Sequence, residues 1–121
     1  MPFCTTICGY CDFYVQRIRR GGAEPLVDAL LRELARYRTH PAWAVETIFV
    51  GGGTPTTLAP DALRRLLTGL RQTVEPGRDC EFSIEVNPAT VSPRVAEVLA
   101  ETGVTRVSIG AQSFQPRELV T

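Results

Sequence analysis

Cys4, Cys8 and Cys11 fall in the run Cys-Thr-Thr-Ile-Cys-Gly-Tyr-Cys, a C-x3-C-x2-C spacing. Three thiolates this close can hold three irons of a [4Fe–4S] cluster. The fourth iron then lacks a protein ligand and is open to another molecule. Such thiolates must be deprotonated, and the metal itself stabilises that form. Two rival chemistries are weaker. The remaining cysteine, Cys80, stands alone, and no signal-peptide pattern opens the sequence. A disulfide framework is therefore not expected, and a reducing, cytoplasmic setting is. Zinc usually takes four ligands from paired Cys or Cys/His sets. The single histidine, His40, lies far along the chain in a polar stretch and is expected to be solvated. A structural zinc or redox-thiol module stands as the alternative from another class.

Four further features could do chemistry. The run Gly51-Gly52-Gly53-Thr54-Pro55-Thr56 follows an apolar stretch. Glycines at a strand end let the backbone approach a ligand closely, and Thr54 adds a hydroxyl. The run lacks the spacing and lysine of a P-loop, which disfavours a nucleoside triphosphate. Alone it reads as a tight strand-to-helix turn; beside a cluster loop, a ligand site is the better reading. Glu85 stands in Ser83-Ile84-Glu85-Val86-Asn87-Pro88 on the same side as Glu81 and Ser83. It could accept hydrogen bonds from a hydroxyl or an ammonium group, or be a solvated edge residue. Gln112, in Gly110-Ala111-Gln112-Ser113-Phe114, offers both a donor and an acceptor. Tyr10 is either a ring packing against a ligand of the cluster or an aromatic wedge supporting the loop. Arg106 reads most simply as a structural ion pair, and Cys80 as a small buried hydrophobe.

The elements that must position these residues are legible from periodicity. Leu26, Ala29, Leu30, Leu34 and Tyr37 recur at helix spacing, which predicts a helix over 24–38. Residues 47–50 form an apolar run ending in glycines, as a buried strand does. Pro60 opens a second helix with Leu63, Leu66, Leu67 and Leu70 on one face. Residues 80–86 alternate with period two and read as strand. Ser92-Pro93 reads as an N-cap and first helical residue, Val95, Val98 and Leu99 as an apolar face, and Gly103 as a C-cap. Residues 105–109 form a third strand.

Strands separated by crossover helices imply an α/β fold with a parallel sheet. Either a closed barrel or an open wound sheet satisfies the pattern. In both, ligands bind at the C-terminal ends of the strands. The glycine run, Glu85 and Gln112 all fall at that edge, and the cysteine loop sits where the loop after a first strand belongs.

Composition sets bounds. The chain has 121 residues, 44% of them hydrophobic, and formal net charge zero. Thirteen basic residues, all arginine, balance thirteen acidic ones, so neither charge nor patterning supports nucleic-acid binding. No apolar window reaches the ~18 residues of a membrane span, so membrane insertion is not expected. Only three residues precede the first cysteine, and residues 116–121 begin what reads as another helix. The expectation is an N-terminal part, 1–121, of a longer core domain, with its first strand nearly absent and its C-terminal half missing.

Taken together, the stretches 2–13, 49–56, 81–88 and 103–114 resemble the radical S-adenosylmethionine (SAM) superfamily. Within it they resemble the group of oxygen-independent coproporphyrinogen III oxidases and HemW-type heme chaperones. The resemblance implies about the first half of a partial, TIM-like (β/α)6 barrel. It also implies that Cys4, Cys8 and Cys11 ligate a [4Fe–4S] cluster, and that Tyr10, Gly52, Gly53, Thr54, Glu85 and Gln112 line the SAM site. In relatives a basic residue commonly precedes the second cysteine; here Ile7 stands there. Oxidases of the group tend to carry a further cysteine two residues after the third, where this chain has Phe13. Cys11-Asp12-Phe13 resembles the chaperone branch. That branch implies an electron donor, a heme or porphyrin ligand handled by parts outside this chain, and membrane respiratory proteins as recipients. The oxidase alternative implies a 5′-deoxyadenosyl radical and decarboxylation of propionate side chains.

Overall fold

The computed structural model describes residues 1–19, 22–38 and 45–119. His40 lies outside them. In chain order the elements are β1 (Phe3–Cys4), β2 (Gln16–Arg17), α1 (Glu24–Ala35), β3 (Thr47–Val50), α2 (Pro60–Val74), β4 (Glu81–Val86), α3 (Pro93–Glu101) and β5 (Arg106–Ile109). Short 3-10 turns follow at Pro55–Thr57, Pro88–Thr90 and Pro116–Glu118.

The main sheet has the order β3-β4-β5 and is parallel throughout. The order never reverses, so successive βα units wind in one direction, without the switch point of a doubly wound sheet. One face of the sheet is apolar: Ile48 and Val50 on β3, and Phe82, Ile84 and Val86 on β4, are buried. They meet Leu63, Leu66 and Leu67 of α2, Val95, Val98 and Leu99 of α3, and Val27 of α1 in one core. Each such side chain contributes about 1.5–3 kcal/mol when fully buried. α1 packs on α2 and α2 on α3, giving a single helical layer. Among the described residues no helix is long and apolar enough to cross a membrane.

The caps follow the sequence logic. Ser92 Oγ accepts from the Val95 N–H at 3.2 Å at the start of α3. Gly103, at φ +79°, leaves α3 in a left-handed conformation, and its carbonyl accepts from Arg71 Nη1 at 3.3 Å.

The opposite face of the sheet is polar apart from Phe49 on β3. Glu81, Ser83 and Glu85 alternate with the apolar set along β4, and the buried Ser83 lies opposite Phe49 and Arg106 in the flanking strands. Arg106 Nη1 donates to Glu81 Oε1 at 3.2 Å and to Ser83 Oγ at 3.3 Å, and Ser83 Oγ donates to Glu81 at 2.7 Å. Arg106 is thus a structural ion pair. The Ser83 hydrogen bond, ahead of the Arg106 charge, holds the Glu81 carboxyl below its ordinary pKa despite some desolvation.

Two expectations are corrected. The first helix ends at Ala35, not at residue 38. The Arg36 N–H turns back to Glu33 O and the Tyr37 N–H to Leu34 O, closing the last turn with i→i−3 bonds. Of the first strand, two residues stand as β1, paired in parallel with β2, which the sequence did not suggest. The expected helix after residue 116 is a three-residue 3-10 turn among the described residues.

Candidate functional site

The glycine run begins where β3 ends, and residues 1–3 lie along it. The Met1 α-amine donates to Gly51 O at 2.6 Å, Gly53 N–H to Met1 O at 2.6 Å and Thr54 N–H to Phe3 O at 2.7 Å. A Cβ on Gly52 would stand 2.8 Å from Met1 O, and one on Gly53 2.6 Å from Phe3 O. Gly52 also has φ +111°. The chain's own backbone therefore fills the space that the glycines leave. On the other side, a Cβ on Gly51 would meet Glu85 Oε2 at 2.6 Å. Glu85, next to last in β4, accepts from the Gly52 N–H at 3.0 Å through Oε2. Burial lowers the pKa of the Met1 amine, and attraction to the Glu85 carboxylate partly opposes that shift.

β1 ends in Cys4, whose Sγ lies 3.6 Å from Thr54 Oγ1. The Cys11 N–H bonds to Cys8 O at 3.1 Å, closing the turn that carries both thiols. Tyr10 is 67% exposed at the rim of the cavity. A hydrogen bond with the Cys8 side chain is the first cause that raises the pKa of its phenol. Gln112 follows β5 in a left-handed conformation at φ +61°, uncommon for a residue with a side chain. Its Nε2 lies 3.2 Å from where a Cβ of Gly110 would stand, so glycine at 110 lets the amide fold back.

One cavity of about 190 Å³ collects all of these groups. Cys4, Cys8, Tyr10, Cys11, Gly52, Gly53, Thr54, Glu85 and Gln112 all line it. Larger apolar grooves of about 330 and 440 Å³ flank the sheet, but they carry none of this chemistry. Donor type, not volume, marks the candidate. Phe13, Val15 and Asn87 line the same cavity and were not singled out from sequence as site residues. Asn87 was within reach of that reading, since it stands two residues after Glu85 and strand alternation turns both to one side.

All four cysteines are free thiols. Among the described residues no three His, Cys, Asp or Glu side chains gather about a single ion position. Three thiolates that bind three different irons are spread wider than three on one ion. The donor set of soft sulfurs beside a polar rim fits a cluster with a polar ligand.

Comparison with known proteins gives the following. Residues 1–120 match the Radical SAM superfamily. The chain is similar to the heme chaperone HemW of Bacillus subtilis, 36% identical over 117 residues, covering 95% of this chain and 31% of the relative. It is similar to the heme chaperone HemW of Mycobacterium tuberculosis, 40% identical over 126 residues, covering 100% of this chain and 32% of the relative. Among solved structures it matches the coproporphyrinogen III oxidase HemN of Escherichia coli, a radical SAM enzyme, with a TM-score of 0.75 and 32% identity. That match covers 97% of this chain and 27% of the other. The chain thus spans about a third of the length of the curated relatives it matches.

Proposed function

The chain belongs to the Radical SAM superfamily, and from that premise we propose that it is part of a heme chaperone that holds a [4Fe–4S] cluster on Cys4, Cys8 and Cys11 and binds SAM at the open iron. The observation that carries the chaperone reading is Phe13, which lines the cavity at the place where the oxidase branch tends to hold a further cysteine. The cluster and SAM together supply one-electron chemistry at the sulfonium, with the electron coming from a separate donor protein.

This chain's residues bind and orient. Glu85, fixed by the Gly52 amide, attracts the ammonium group of SAM. The Gly52 and Gly53 N–H groups are already bonded to Glu85 and to Met1 O, so these glycines offer their carbonyls beside it, and Thr54 offers a hydroxyl. Gln112 presents its amide to the ribose or the adenine edge. Tyr10 and Phe13 give the cavity an aromatic border against which a ligand ring can pack. Heme or porphyrin is handled by parts of the protein outside this chain, and membrane respiratory proteins receive it. The free thiols accord with a cytoplasmic, reducing setting.

The likeness to HemN in three dimensions favours a second reading, coproporphyrinogen III oxidation. One series of measurements separates them, made on the full-length polypeptide reconstituted with iron and sulfide without oxygen. Electron paramagnetic resonance should show a reduced-cluster signal that changes when SAM is added. Heme should then bind, and coproporphyrinogen should remain unconverted. Turnover of coproporphyrinogen would assign the oxidase function instead. A folded protein that assembles no cluster would overturn both.

A further inference from the structure

The polar side of the cavity is carried by the loop after β3, by Glu85 near the end of β4 and by the loop that follows it. At the cavity the first loop is tied to the strand by the Gly52 N–H, which donates to Glu85 Oε2 at 3.0 Å. A second cross-link lies behind, where Thr56 Oγ1 and Thr90 Oγ1 are 2.5 Å apart. We propose that Thr56 and Thr90 are positioning residues whose hydroxyl tie sets the spacing of the Gly52 amide and the Glu85 carboxylate, and with it the affinity for SAM. This rests on the SAM site proposed above.

The protons of the tie can be assigned. A hydroxyl has one hydrogen, and Thr90 donates its own to Asn87 O at 2.8 Å. Thr56 must therefore be the donor to Thr90. Thr56 is only 3% exposed, between the buried Pro55 and a turn that leads to the buried Leu58. A buried hydroxyl is costly unless bonded. Valine has nearly the same shape, so packing alone does not call for threonine at 56.

Each end of the tie is anchored to a closed turn. On one side Thr57 N–H and Thr57 Oγ1 both donate to Thr54 O, at 3.0 and 2.7 Å, so Thr54 moves with Thr56. On the other side Thr90 N–H donates to Asn87 O at 2.9 Å, and Ala89 N–H to Asn87 Oδ1 at 2.9 Å. Asn87 lines the cavity two residues from Glu85. Two stiff turns joined at the rear present their ligand groups already spaced, which reduces the ordering cost of binding.

The test uses the full-length protein with Thr56→Val, Thr90→Val, the double variant and Thr56→Ser. With cluster loaded, each valine variant should bind SAM roughly two- to tenfold more weakly. The SAM-free cluster spectrum should be unchanged. Thr56→Ser should restore affinity, and the double variant should be no worse than either single one. Unchanged affinity in Thr56→Val, additive losses, or a serine variant as weak as valine would each overturn the tie. A second readout needs neither cluster nor SAM: amide hydrogen exchange in cluster-free protein. Thr56→Val should quicken exchange in both turns together, and a change confined to residues 54–57 would overturn the proposal. Failure of the wild-type protein to bind SAM would instead refute the functional reading, and the exchange result would still decide the tie.

Discussion

Cys8 has no substitute within reach. Cys80, the one cysteine outside the loop, precedes β4, while Glu85 marks that strand's far end at the cavity. Five residues of strand separate them by roughly 16 Å. Cys8→Ser in the full-length protein is therefore expected to abolish the cluster, read as loss of its visible absorbance and acid-labile sulfide. Glu85→Ala should keep the cluster and weaken SAM binding about ten- to a hundredfold, the equivalent of ~1.5–3 kcal/mol for a charged hydrogen bond; titration followed by electron paramagnetic resonance measures it. Residue types and spacing, together with the family resemblance, singled out nine positions that the fold brings to one cavity. They did not disclose why glycine stands at 52 and 53. That reason is the approach of Met1 and Phe3, some fifty residues away, which periodicity does not encode. The left-handed Gln112 was equally hidden, since a single residue's φ leaves no pattern.

At the scale of elements, legibility followed burial except at β5, which was legible although all four of its residues are exposed. β3, β4, α2 and α3 each turn a regular apolar row into the core, and that row is what a sequence displays. β2 is two exposed residues with no row to display, and the expected last turn of the first helix buries nothing. The pairing of β4 with β5 carries a pH signature. Glu81 has a carboxyl pKa held down by Ser83 and Arg106 in the folded state. Its contribution is complete above the ordinary carboxylate pKa and is lost as pH falls through the lower, folded value. The difference in melting temperature between wild type and Glu81→Gln should thus be largest at neutral pH and shrink in acid. A difference independent of pH would assign the stabilisation to shape alone. Ser92→Ala should cost about 1 kcal/mol through loss of the α3 cap, measured by denaturant unfolding.

Across the whole molecule, the core and the cavity meet at Val86 and otherwise occupy different places. The core lies between the sheet and its helical layer, while the cavity lies at the strand ends among loops. Removing iron with a chelator should leave amide protection in α2 and α3 unchanged and speed exchange only in the loop of residues 4–13. Loss of protection in both regions would show that the metal supports the fold itself. The packing of Phe3 against Gly53 has an evolutionary consequence. A side chain at 53 would collide with the carbonyl that immediately precedes Cys4. Selection for folding alone would retain that glycine after selection for the cysteines had ceased. A decayed copy of this gene would lose its thiols first and keep its glycines. In such a copy the surviving glycine run would record ancestry rather than a working ligand site.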